Sequence, residues 1–280
     1  MQWGSRDWFL NKFESQGVDQ PGAYFAHRSN GYQRLRHRRL VGYLREGAGG
    51  PLTGRLLDVG CGAGELTERI FRNNAFSEGI GLDFVAPAVE LARNRFPAID
   101  FRLGSLPRLD FEDNGFQLVI ASEVIYYLSD PDRRLAVDEI RRVLRPGGWF
   151  FFTSVLGDGY FTPEQAMDLL ENRLLIEKVW LDDHRAYHRL TSPLTALNSL
   201  YFTIYGGNRP IDPEVGARVE KWRRRLDHPL ARTLLRAAQV ATNPILSSES
   251  LPRLLSPGRG ASSPGRATNI AVLGRKPAAE

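Results

Sequence analysis

The sequence is poor in sulfur and has no long apolar runs, and both shortages exclude whole classes of function. Of its 280 residues one is cysteine, Cys61, and two are methionine. A single thiol can close no internal disulfide and cannot supply a multi-cysteine metal site, which fits a reducing compartment. No stretch reaches the roughly 18 consecutive apolar residues of a membrane-crossing helix. The run from Met1 to Asp7 has no basic segment followed by a long apolar one, so nothing there reads as a secretory signal. A cytoplasmic location is the expectation. There is also no internal repeat. A hydrophobic fraction of 42% and a charged fraction of 25% are those of an ordinary globular protein. The length suits one large domain, or one domain with a substantial insertion.

Acidic residues are scarce at the flanks. The net charge of +5 divides into +4 over residues 1–50, −6 over 51–181 and +6 over 182–266. The basic excess therefore lies outside the middle segment. It reads either as solvated surface or as attraction for an acidic substrate, a lipid surface or a nucleic acid.

The middle segment has a strand–helix rhythm. Residues Gln33–Glu46 predict a basic amphipathic helix with Leu35, Leu40, Val41 and Leu44 on one face, ended by the Gly47–Pro51 linker. Short apolar runs at 55–59, 79–83, 99–103, 116–121 and 149–154 predict strands. Helices at 65–72, 86–95 and 132–144 fall between them, the last stopped by Pro146-Gly147-Gly148. Thr162 and Pro163 open another helix as N-cap and first helical residue, and 174–181 is a sixth strand. The last strand, 268–273, comes only after about 85 residues that break the rhythm. Within those residues Leu230–Ala241 reads as an amphipathic helix, and Ser247–Gly265 as a mobile Ser/Pro/Gly loop. Alternation of this kind implies a parallel sheet with helices on both faces. The division expected is 1–50 as an N-terminal helical lid, 51–181 with 267–280 as the core, and 182–266 as an inserted cap.

The stretch Leu56-Leu57-Asp58-Val59-Gly60-Cys61-Gly62-Ala63-Gly64-Glu65-Leu66 carries the chemistry. A strand runs into a glycine turn and a helix follows at once. Alternate glycines allow positive φ and let a ligand lie against bare backbone, at the turn where open α/β sheets bind nucleotide-like cofactors. Three readings compete: a structural turn, a dinucleotide site, and an S-adenosylmethionine site. The dinucleotide fingerprint needs glycine where Glu65 stands. Asp83 ends the second strand, where a carboxylate can accept hydrogen bonds from ribose hydroxyls.

The run Asp58-Val59-Gly60-Cys61-Gly62-Ala63-Gly64 is similar to the first motif of class I S-adenosylmethionine-dependent methyltransferases. The later parts follow in order: Asp83 with Phe84, Gly104-Ser105-Leu106, Ala121-Ser122-Glu123, and Leu144-Arg145-Pro146-Gly147-Gly148. The resemblance covers roughly 55–181 and 268–277. It is strongest to the small-molecule branch, with Ser122–Leu128 resembling nodulation-type N-methyltransferases. It implies a doubly wound, mostly parallel seven-stranded sheet and S-adenosylmethionine as cofactor. It also implies a cofactor site of Asp58, Gly60, Cys61, Gly62, Gly64, Asp83, Phe84, Ser105, Leu106, Ser122 and Glu123. Gln117 stands where the family commonly has Asp. A metal-using subset has Glu-x-x-Glu-His where this chain has Glu123-Val124-Ile125-Tyr126-Tyr127, so no metal is carried over.

The cofactor brings an already activated methyl group, and the protein must align a nucleophile with it and exclude water. A neutral amine needs no base, whereas an alcohol benefits from one. Tyr126 and Tyr127 are candidates to orient a substrate, or else core residues. His184 or His188 is a candidate base, or else a surface imidazole. Tyr127 and His184 are carried as the catalytic pair. Tyr24, His27, Arg28 and Tyr32 are placed over the cofactor, and Tyr187, Tyr201, Phe202, Tyr205 and Trp222 are candidates to line an apolar pocket. Lys221-Trp222-Arg223-Arg224-Arg225 suits phosphate or headgroups, or is a solvated helix face. The expected acceptor is a small molecule or a glycan- or lipid-like metabolite. An RNA substrate is the alternative, followed by a non-catalytic partner subunit and by membrane-surface association through Leu230–Ala241.

Overall fold

The computed structural model describes residues 30–205, 220–222, 224–226, 228–255 and 267–278. They fall into two compact units, one drawn from 37–184 and 257–280, the other from 1–36 and 185–256.

The first unit is built on a seven-stranded sheet of order β3-β2-β1-β4-β5-β7-β6. Its strands are β1 (Thr53–Val59), β2 (Ala75–Asp83), β3 (Asp100–Leu103), β4 (Phe116–Ser122), β5 (Leu144–Val155), β6 (Leu175–Asp182) and β7 (Asn269–Arg275). Neighbours from β3 to β5 pair parallel, while β7 runs antiparallel to both β5 and β6. The central strands read as continuous apolar runs because both their faces are covered. Consecutive side chains therefore enter opposite cores. Leu57, Phe150 and Phe152 join one core with Val137 and Ile140. Leu56, Leu118 and Phe151 join the other with Leu44 and Ile70.

Helices α1 (Gly31–Ala48), α2 (Glu65–Arg72), α3 (Ala86–Arg95), α4 (Asp130–Val143) and α5 (Pro163–Glu171) alternate with the strands. The sheet unit takes in α1 from His37 onward. Leu35, Leu40 and Leu44 are buried as the periodicity predicts. Val41 is only partly buried, and its place in the core is taken by Tyr43, which stacks on Trp180 at 4.9 Å and donates to Asp182. β5 starts at Leu144, five residues ahead of the expected strand. Arg145–Gly148 bulges between the Phe116↔Leu144 and Leu118↔Trp149 pairs, with Gly147 at φ 73°. The Pro-Gly-Gly run both stops the helix and kinks the strand that follows it.

Thr162 forms a reciprocal capping box with Gln165 at the start of α5. Thr162→Ala is therefore expected to lower unfolding free energy by about 1 kcal/mol, read as a shifted urea midpoint with an unchanged slope.

The second unit is helical: α6 (Arg185–Tyr205), α7 (Pro229–Ser247) and α8 (Ser250–Leu255), with residues 31–36 of α1. Arg34 donates to the Ser247 carbonyl and pairs with Glu249 at 3.2 Å. α7 extends past the expected Ala241 to Ser247. The expected loop 247–265 is helical over Ser250–Leu255, and its remainder from 256 lies outside the described residues. No described helix is long and apolar enough to cross a membrane.

Candidate functional site

The loop after β1 is held open from beneath. Gly60 and Cys61 donate their N–H groups to the Leu82 carbonyl at 2.8 and 2.9 Å, so β2 fixes the turn. Gly60, Gly62 and Gly64 have φ of 78°, 55° and 84°, all left-handed. The outer two are also forced by packing. A Cβ on Gly60 would sit 2.8 Å from Val124 Cγ2, and one on Gly64 2.7 Å from Phe101 Cζ. A Cβ on Gly62 would meet nothing within 4 Å. The middle of the loop therefore presents bare backbone to open space. Cys61 turns inward against Val89, Ala92 and Phe101, and burial pushes its thiol pKa well up.

Two carboxylates back this loop. Asp83, at the end of β2, accepts from Gly62 N–H through Oδ2 at 2.8 Å and from Val85 N–H through Oδ1 at 2.9 Å. Burial raises its pKa while these N–H groups oppose the rise. Phe84 N–H also bonds this carboxylate; with about four acceptor positions, Asp83 retains capacity for a ligand hydroxyl. Asp58, on β1, accepts the Thr67 hydroxyl on Oδ2 at 2.6 Å, and its Oδ1 has no partner among the described residues. Burial lifts its pKa to about 7, opposed by Thr67 and reinforced by the charge of Asp83.

The next strand ends complete the edge. Phe84 is half-buried beside Asp83; after β3, Ser105 is exposed and Leu106 is buried. After β4, hydroxyls and a carboxylate form a chain. Ser122 lies 2.9 Å from the Thr153 hydroxyl, which donates to Glu123 Oε1 at 3.2 Å, so Ser122 is the donor at the head of the chain. Val155 N–H donates to Glu123 Oε2 at 2.8 Å. Glu123 has φ 59°, an uncommon conformation for a residue with a side chain. Its carboxylate is thus turned onto β5, a placement the sequence does not signal.

The two tyrosines differ in burial. Tyr126 is buried, edge-on to Tyr160 at 5.0 Å. Tyr127 is half-buried and accepts the Tyr126 hydroxyl at 3.3 Å. His184 is buried, with Nε2 3.9 Å from Asp182 Oδ2. His188 belongs to the helical unit, edge-on to Tyr32 and Tyr187, and burial lowers its pKa. Tyr32 stacks on Tyr187 at 5.0 Å. Tyr24, His27, Arg28, Arg223 and the side chains of Phe202 and Tyr205 lie outside the described residues. Sequence reasoning missed Thr67, Thr153 and Val124, whose roles depend on partners across the fold. Among the described residues no group of three or more His, Cys, Asp or Glu could hold a metal ion.

Comparison with known proteins follows this edge of the sheet. Residues 56–148 match a family model described as "Methyltransferase domain". "Probable tRNA methyltransferase 9B" of Mus musculus is 37% identical over 92 residues, which is 32% of this chain and 19% of that protein. Across eight curated relatives the matched stretch spans from 19% to 52% of their length. The N-methyltransferase NodS of Bradyrhizobium japonicum WM9, solved with S-adenosyl-L-homocysteine, superposes with a TM-score of 0.52. It is 23% identical, over 62% of this chain and 89% of its own. The [4+2]-cyclase SpnF superposes with a TM-score of 0.56 at 25% identity, over 88% of this chain and 83% of its own.

Proposed function

Starting from a chain that belongs to the class I S-adenosylmethionine-dependent methyltransferase family, we propose that it methylates an oxygen or nitrogen atom of a small molecule, glycan or lipid-like metabolite. The observation that carries the cofactor half of this reading is Gly62, and the small-molecule acceptor rests on the likeness to nodulation-type N-methyltransferases. The Gly62 Cα faces open space, while its N–H is held by a buried carboxylate with capacity to spare. S-adenosylmethionine supplies the activated methyl group.

In this reading Asp83 takes a ribose hydroxyl, and Phe84, Ser105 and Leu106 hold the adenine. The backbone of Gly60, Cys61, Gly62 and Gly64 supports the rest of the cofactor. Asp58 supplies negative charge for its cationic end, and Ser122 and Glu123 close the far side. Tyr127 is the better placed of the two catalytic candidates. It is half-exposed, whereas His184 is enclosed and directed at Asp182. A neutral amine acceptor would need no base at all.

Calorimetric titration with S-adenosylhomocysteine tests the cofactor site. Wild type is expected to bind in the micromolar range, and Asp83→Ala to lose binding by a hundredfold or more, about 3 kcal/mol. Absence of binding by folded wild type would remove the proposal.

A second reading has one specific support, the relative named as a tRNA methyltransferase, and the +6 charge of residues 182–266 accords with it. Against it, no RNA-binding module is recognisable in the sequence. Incubation with labelled cofactor and total tRNA decides between them. RNA labelling that falls steeply with salt would favour the tRNA substrate. The intact Gly60, Gly62, Gly64 and Asp83 argue against a partner subunit that has lost the cofactor.

A further inference from the structure

We infer that α7 docks the protein on an anionic lipid surface, a reading independent of the methyl acceptor. Leu230, Leu234, Ala237, Ala241 and Ile245 recur every three or four residues, so they form one stripe along the helix. All five are exposed, Leu230 and Leu234 by 67% and 69%, and Val240 beside them by 61%. Thr242 and Leu246, on the opposite side, are buried. The helix is thus apolar inward, where its unit needs it, and apolar outward, where its unit does not. At about 1.5 Å per residue, the stripe from Leu230 to Ile245 runs for roughly 22 Å.

The charge around the stripe selects the occupant. α7 contains no Asp or Glu; of its two ionic side chains, Arg236 lies one turn before Val240 at the edge of the exposed apolar face, and Arg232 lies on the side away from the stripe. Just before it, Trp222 is 54% exposed among the exposed Lys221, Arg224 and Arg225. Just after it, Leu254 on α8 is 78% exposed beside Arg253. An outward apolar stripe with an arginine at its edge, and with an exposed indole and further cations close by in sequence, has the composition of a helix lying in a membrane interface. A second copy of the chain would bring a like-charged segment against this one, whereas acidic headgroups neutralise it. The helix does not qualify as a membrane span, so it lies on the surface rather than across it.

Flotation of the full chain with phosphatidylcholine vesicles, with and without phosphatidylglycerol, tests this. Wild type is expected to float with the anionic vesicles only, less so as salt rises. The double variant Leu230→Glu/Leu234→Glu is expected to lose partitioning by at least about a hundredfold. Lys221→Glu/Arg236→Glu is expected to lose it by about tenfold or more. All four side chains are exposed, so unchanged circular dichroism should accompany both losses. Failure of wild type to float, or flotation of the leucine variant like wild type, would overturn the inference. So would a dimer in light scattering that the leucine variant dissociates, because the stripe would then belong to a second copy.

Discussion

Gly62→Ala is expected to yield a folded protein that no longer binds S-adenosylhomocysteine, whereas Gly64→Ala is expected to yield one that is barely folded. The two residues have the same backbone handedness, so conformation alone does not distinguish them. An alanine forced into φ 55° or 84° costs about 1–2 kcal/mol in either case. The surroundings decide the rest. At Gly62 the new methyl group meets no protein atom within 4 Å. It enters only the space assigned to the cofactor, so affinity is lost and the fold survives. At Gly64 the methyl group lies 2.7 Å from Phe101 Cζ and 3.0 Å from both Phe101 Cε1 and Phe96 Cδ2. Phe101 cannot retreat, because it is fully buried and already fills the space over Gly81, where a Cβ would stand 2.5 Å away. Overpacking of this kind adds about 1–3 kcal/mol. The total of roughly 2–5 kcal/mol is a large share of the 5–15 kcal/mol typical of a domain. Urea denaturation and calorimetry on the same two variants would separate the effects. Equal binding loss with equal stability loss would mean that Gly62 serves only the turn.

The contrast also shows what a sequence can and cannot convey. The glycine spacing, the strand before it and the carboxylate ending β2 are local features, and the structure assembles them where the pattern predicts. β4 and β5 are legible because burial on both faces leaves runs such as Phe150-Phe151-Phe152 with no polar alternation. α2 and α3 keep the limits their periodicity suggests. The early start of β5 is hidden because Pro146-Gly147-Gly148 signals a helix stop more strongly than a strand bulge. α8 is hidden because Ser250, Pro252 and the serines before them resemble a loop by composition. Glu123 shows the deeper obstacle. The resemblance puts it in the cofactor site, yet its carboxylate is turned onto Thr153 and Val155. Those partners lie 30 and 32 residues away in sequence, and no local pattern encodes them. His184 is enclosed for a similar reason, by contacts that only the completed sheet edge provides.

Asp58→Asn is expected to make the ligand-free protein progressively more stable than wild type as pH rises from 4 to 8. The folded-state pKa of Asp58 is about 7, against an ordinary value of 3.8. Between those values the folded protein keeps a proton that the unfolded chain releases. Stability therefore falls with rising pH across this window and levels off above it. Each pKa unit corresponds to about 1.4 kcal/mol, so the wild type loses on the order of 4 kcal/mol through this group. Asparagine cannot titrate, but its amide oxygen can still accept the Thr67 hydroxyl. Its buried NH2 adds a pH-independent cost of about 1–3 kcal/mol, so the informative quantity is the slope of the difference and not its value at one pH. Parallel wild-type and variant profiles from urea denaturation would show that the Asp58 carboxyl ionises normally. Divergence above pH 4 would establish that the chain maintains a buried, partly unpartnered carboxylate beside Asp83 against its own stability. A group retained at that cost is accounted for by a cation that arrives later. In the proposed reading, the cofactor's cationic end would favour the ionised form of Asp58. Saturating S-adenosylmethionine should then flatten the wild-type profile and leave that of Asp58→Asn unchanged in slope.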